Sequence, residues 1–131
     1  MSEPFIFVNT YGIKEGMTDT YREVCETVTD MVRSEQPRIL YFGFFVNDEG
    51  TEATTVQVHP DPDSMLRHMG LAEKHIEQSV EFIDFTRMEI IVYGTPTEAV
   101  LEKMRQLSGT GVPIKIKTLT SSVNRLQAVS V

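Results

Sequence analysis

The chain has 131 residues, with 12 basic and 19 acidic side chains, a formal net charge of −7 and a single cysteine. A domain of this length buries roughly two-thirds of its unfolded surface, so neither a disulfide nor a metal is needed to hold it together. The acidic balance repels phosphate backbones and anionic headgroups, which excludes nucleic acid and membrane as partners, and lone Cys25 suits a reducing compartment, so a cytoplasmic location is expected.

No stretch approaches the run of about 18 apolar residues that spans a membrane, and MSEPFIFVNTYG lacks the basic start of a secretory signal. Residues 4–10, PFIFVNT, carry the β-branched and aromatic residues of a strand. After a glycine-bounded loop, Met17, Tyr21, Val24, Cys25, Val28, Met31 and Val32 recur at helical spacing, with Thr18 or Thr20 as cap and Pro37 closing the end. PRILYFGFFV then reads as a strand, NDEG as a tight turn and TEATTVQVH as the strand that completes the hairpin.

Asp61 is a good N-cap for the second helix and Pro62 suits its first turn; Met65, Met69, Ala72, Ile76 and Val80 form its core stripe, and Gly70 is a point where it can kink. DFTRMEIIVYG, residues 84–94, is the fourth strand. Further on, Thr97 caps a short helix bearing Val100, Leu101, Met104 and Leu107, and VPIKIKTLT reads as a half-exposed strand that pairs with a sheet edge, within the chain or across a dimer. The terminal SSVNRLQAVSV is weakly patterned and reads as an arm or a partly disordered tail.

Up to Gly94 the order is β-α-β-β-α-β, the split pattern of a ferredoxin-like α+β fold with an antiparallel sheet in the order 4-1-3-2 and both helices on one face. Residues 1–94 form this unit, and 95–131 read as a helix-strand extension of the same domain. Sorting the strands by hydrophobicity puts Ile6, Val8, Phe42, Phe44, Val56, Val58, Met88, Ile90 and Val92 under the helices. Phe5, Phe7, Asn9, Tyr41, Phe45, Thr55, Gln57, His59, Arg87, Glu89, Ile91 and Tyr93 fall on the open face. That face is too apolar for water, so a homodimer is expected, with the mixed side of the fourth strand looking into a cavity between the two subunits.

On its first strand followed by IKEG and a helix, on EQPRILYFGF leading into the hairpin, and on HPDPDSMLRHMG, the chain resembles the antibiotic-biosynthesis-monooxygenase-like family of dimeric α+β barrels over about residues 4–94. The resemblance implies a cavity between sheet and helices. It also implies chemistry of one of three kinds: cofactor-free oxygenation of phenolic rings, isomerisation of small oxygenated molecules, or haem degradation. The haem-degrading branch would use an asparagine that Asn9 matches, a helix histidine that His75 roughly matches, and a tryptophan that the sequence lacks.

The expected site has Arg87 as electrostatic stabiliser, His59 or Glu89 as base, and Asn9 and Gln57 as donors. Phe7, Tyr41, His68 and His75 are expected to meet the ligand. The bland alternative is that Arg87 and Glu89 pair with each other, or across the dimer, in a buried seam. No metal site is expected: His68 and His75 stand too far apart along a helix, and helix capping explains the acids of HPDPD. The expected function is a cofactor-independent monooxygenase or isomerase acting on a small phenolic or enolisable molecule; the alternative is a non-catalytic, ligand-binding or stress-associated dimer.

Overall fold

The computed structural model describes residues 3–126. In chain order the elements are β1 (Phe5–Ile13), α1 (Thr18–Glu35), β2 (Tyr41–Val46), β3 (Glu52–His59), α2 (Pro62–Gln78), a single 3₁₀ turn (Ser79–Glu81), β4 (Ile83–Tyr93), α3 (Glu98–Ser108) and β5 (Ile114–Lys117). They build one sheet in the order β2-β3-β1-β4-β5. Its first four strands are antiparallel, as the split pattern predicts, and β5 adds a parallel strand to the edge of β4 in its own chain. No helix among the described residues is long and apolar enough to cross a membrane.

The local signals act where expected. Asp61 accepts a hydrogen bond from the Ser64 amide (2.9 Å) at the start of α2, and Thr97 does the same for Val100 (3.2 Å) at the start of α3. α1 departs from expectation: its N-cap is Met17, without a side-chain cap, while the Thr18 hydroxyl donates to the Gly50 carbonyl and ties the helix to the hairpin turn (2.8 Å). α2 runs unbroken past Gly70, but it ends at Gln78, so Val80 falls on the 3₁₀ turn and is exposed rather than part of the core stripe.

The faces of β1 and β3 are the reverse of those expected from hydrophobicity. Directly opposed residues of paired strands point to the same side. Phe7 faces Gln57 and Val92, Asn9 faces Thr55 and Ile90, and Phe42 faces Gln57, so all of these share the side of buried Val92. Phe5, Phe7, Thr55, Gln57 and His59 therefore lie under the helices, and Ile6, Val8, Val56 and Val58 stand half-buried on the open side. Both faces of β1 are apolar, so side-chain type could not choose between them.

Two clusters fill the space under the helices. One joins Phe5, Phe7, Met65, Met69, Ile90 and Val92 to Val100 and Met104 of α3; the other gathers Tyr11, Ile13, Tyr21, Ala53, Phe82, Ile83 and Met88. On the open face two bare glycines act as seats. A Cβ on Gly12 would stand 2.2 Å from Arg87 Nη2, and one on Gly43 would stand 2.7 Å from the Tyr41 hydroxyl, so both side chains lie flat across backbone. Residues 118–126 follow β5 without regular structure, and 127–131, the rest of the terminal arm, lie outside the described residues.

Candidate functional site

Between the sheet and the helices of the same chain lies a cavity of about 150 Å³. It is not the expected cavity between two subunits. Its floor is the helix side of the sheet, including Phe7, Asn9, Tyr11, Thr55, Gln57 and Ile90, and its walls come from α1, α2 and α3. Half-exposed His75, Leu107 and Ser108 also line it, so the space extends from the core toward solvent.

Six of the expected site residues meet this space or support it. Asn9, Gln57, Phe7, His68 and His75 line it. His59 is fully buried beside it and has both ring nitrogens engaged, Nδ1 with Ser64 Oγ (2.7 Å) and Nε2 with Gln57 Oε1 (2.8 Å). An amide oxygen only accepts, so His59 Nε2 carries the proton and Nδ1 accepts from the serine. With no lone pair left to offer, His59 is a strut between β3 and α2, not the base expected from sequence.

The remaining expected residues are on the other face. Arg87 is exposed, bonds Asp84 (3.0 Å) and reaches the Thr51 carbonyl (3.5 Å). Glu89 pairs with Lys115 of β5 (3.0 Å), and Tyr41 is 49% exposed. The expected grouping of Asn9 with Arg87 and Glu89 is therefore absent, because β1 and β4 pair with Asn9 opposite Ile90. Nor do Arg87 and Glu89 pair with each other.

His68 takes the place that His59 was expected to hold. α2 carries it into the cavity one helical turn after Ser64, and its Nδ1 bonds Gln36 Oε1 (2.7 Å). The same logic puts the proton on Nδ1 and leaves the Nε2 lone pair free. Nε2 bonds nothing among the described residues and is not walled off by protein. Burial lowers His68 from the ordinary 6.5 to about 4. Burial, reinforced by the neighbouring His68, lowers His59 to about 3. At neutral pH both imidazoles are uncharged.

Asn9 presents the second reactive feature. Its Oδ1 is fully buried and has no hydrogen-bond partner, the one such side-chain atom among the described residues. An amide oxygen left in this state costs on the order of 1–3 kcal/mol unless something fills the space beside it. Beyond Asn9 the Tyr11 hydroxyl bonds Tyr21 (2.6 Å) and Thr55 (2.9 Å), a chain whose members satisfy one another. Burial pushes the Tyr11 hydroxyl to about 12 and the Cys25 thiol to about 11, so neither is a ready nucleophile at neutral pH.

Gln36, Tyr11 and Tyr21 were not anticipated. Gln36 precedes Pro37 and reads as a helix end, and β1 continues three residues past its expected end, carrying Tyr11 under the helices. Among the described residues no group of three or more His, Cys, Asp or Glu stands close enough to hold a metal ion.

No protein-family model matches the sequence, and no curated protein matches it. Solved structures do. MupZ from Pseudomonas fluorescens is similar with a TM-score of 0.71 at 20% identity, over 95% of this chain and 91% of that one. A proposed antibiotic biosynthesis monooxygenase from Nitrosomonas europaea gives 0.63 at 11% identity, over 72% and 92%. Another from Bacteroides thetaiotaomicron gives 0.60 at 12% identity, over 67% and 85%. The fold is antibiotic-biosynthesis-monooxygenase-like. Within that fold the likeness to MupZ takes in nearly the whole chain, whereas the two monooxygenase-named structures leave about a quarter to a third of it uncovered.

Proposed function

We propose that the protein binds a small, oxygen-bearing molecule, ring-containing or enolisable, in the cavity under the helices, and oxygenates or isomerises it as a homodimer. The free His68 Nε2 lone pair in the cavity carries this reading, and the unpartnered Asn9 Oδ1 of the same cavity adds support, because a protein rarely leaves a buried polar atom unsatisfied without a functional reason. His68 Nε2 is the base that takes a proton from the ligand, while the amide nitrogens of Asn9 and Gln57 hold the developing oxyanion. In isomerisation the same proton returns at another carbon. In oxygenation of a phenolic ring, dioxygen is the co-reactant; one oxygen atom enters the ring and the other leaves as water with the two hydrogens given up.

The homodimer reading rests on the open face, where Ile6, Val8, Val56, Val58, Ile91 and Tyr93 are half-buried in the single chain and Tyr41 and Phe45 are about half exposed. A soluble protein rarely leaves so continuous an apolar patch to water. A second copy related by a two-fold axis covers it with one contact type.

The test follows oxygenated ring compounds by NMR at the Asn9 side-chain amide, then incubates each binder in D₂O and, separately, under oxygen. Exchange of a carbon-bound proton supports the isomerising branch, and oxygen consumption with product formation supports the oxygenating one. Binding at Asn9 without either would establish a non-catalytic ligand-binding protein.

A further inference from the structure

Among the described residues that line the cavity, none is lysine, arginine, aspartate or glutamate. This contrasts with a chain that carries 31 such residues in all, 12 basic and 19 acidic. Of the ions next in sequence to the lining, Arg87 and Glu89 are paired with Asp84 and Lys115 on the far side of the sheet, Lys103 of α3 is tied to Glu73 of α2, and Arg67 and Lys74 of α2 are exposed and do not line the cavity. Inside, the three hydroxyls of Tyr11, Tyr21 and Thr55 satisfy one another, and His59 is occupied by Ser64 and Gln57. What remains free is a short set: the Asn9 amide, the nitrogen of the Gln57 amide, His68 Nε2 and, where the cavity opens toward solvent, the half-exposed His75 ring.

We infer that the cavity selects an uncharged ligand of about one six-membered ring that donates a hydroxyl proton to His68 Nε2 and offers a carbonyl or ether oxygen to Gln57. This deepens the functional reading above and rests on it. A carboxylate, phosphate or ammonium brought into this space would shed its water with no counter-ion to meet it, at a penalty of several kcal/mol. The polarity of the hydrogen bonds follows from the inventory: Nε2 of a neutral imidazole protonated on Nδ1 only accepts, the Gln57 nitrogen only donates, and Asn9 does both. The size follows from the volume, since an apolar cavity of about 150 Å³ accommodates a benzene ring. A ligand that is acidic elsewhere must enter as its ester or lactone, or leave the charged end outside.

The experiment uses the whole chain at pH 7.5 with labelled imidazole and side-chain amide nitrogens. It titrates three probes that share one ring: 2-hydroxycyclohexanone, cyclohexanecarboxylate and cyclohexylammonium. The neutral probe is expected to shift His68 Nε2 and the Asn9 and Gln57 amides and to bind about 100-fold more tightly than either ion. In Asn9→Asp, which keeps the shape and adds a carboxylate, the order should turn toward cyclohexylammonium. An ion that binds the unaltered protein at these resonances as tightly as the neutral probe overturns the inference and leaves the cavity a binding site of another specificity. If all three probes leave the resonances unmoved, the cavity reading falls and the inference with it.

Discussion

His59 and His68 differ by one hydrogen bond, and their substitutions should separate accordingly. His59→Ala strands Ser64 and Gln57 and opens a hole in the core, so chemical denaturation is expected to show a loss of about 2–4 kcal/mol. His68→Gln keeps a polar side chain near Gln36; it should fold, retain most of its stability, and lose turnover of any substrate found. If His68 is the base, kcat/KM should rise with pH through about 4 and stay flat across neutrality, unlike an exposed histidine titrating near 6.5. Acid stability has a definite sign as well. Both folded-state values, about 3 and about 4, lie below the ordinary 6.5. The unfolded chain therefore binds more protons in that window, and stability that is complete above pH 6.5 drains away as the pH falls through those values. Thermal melts from pH 7.5 to 4 should show the decline, and His68→Gln should flatten it. Residue identity alone could not rank the two histidines, because their roles depend on which nitrogens find partners, and Gln36 and Ser64 supply them from other elements.

The elements themselves were largely written in local chemistry. Asp61 and Pro62 announce α2, Thr97 announces α3, and Asn47 to Gly50 turn the hairpin. Which side of β1 and β3 faces the helices was not legible, since Phe5, Phe7, Ile6 and Val8 are all apolar and only cross-strand register with β2 and β4 decides. Reversing those faces sets Asn9 and Gln57 beside Arg87 and away from the cavity between sheet and helices that the family resemblance implies. Caps here also hold the site. Asp61→Ala should cost about 1 kcal/mol of helix capping, and it should also loosen Ser64 and with it His59, visible as faster exchange of the α2 amides. The extension from 95 onward supplies Val100 and Met104, fully buried against Phe5, Phe7 and Met65. We propose that it is one domain with the rest, so a chain ending at Gly94 should lose cooperative unfolding, and Met104→Ala should cost about 2–4 kcal/mol.

For the whole molecule, the proposed dimer makes a direct prediction. Val56 lies in the middle of the open face, opposite Val8 on one side and Gly43 on the other. A lysine there is readily solvated in a single chain but is buried without a partner in a two-fold sheet-on-sheet contact. Val56→Lys should therefore elute as a monomer by light scattering with its circular dichroism unchanged, and an unaltered dimer would place the contact elsewhere.

The order of the sheet also governs how the chain comes off the ribosome. β1 is synthesised first, yet its hydrogen-bond partners are β3 (Glu52–His59) and β4 (Ile83–Tyr93). At about 5–20 residues per second, FIFVNTYGI waits on the order of several seconds, apolar on both faces and open at both edges, before β4 arrives. Such a segment is an aggregation template while it waits. Yield in a cell should therefore track translation speed and holdase supply more closely than the stability of the finished fold.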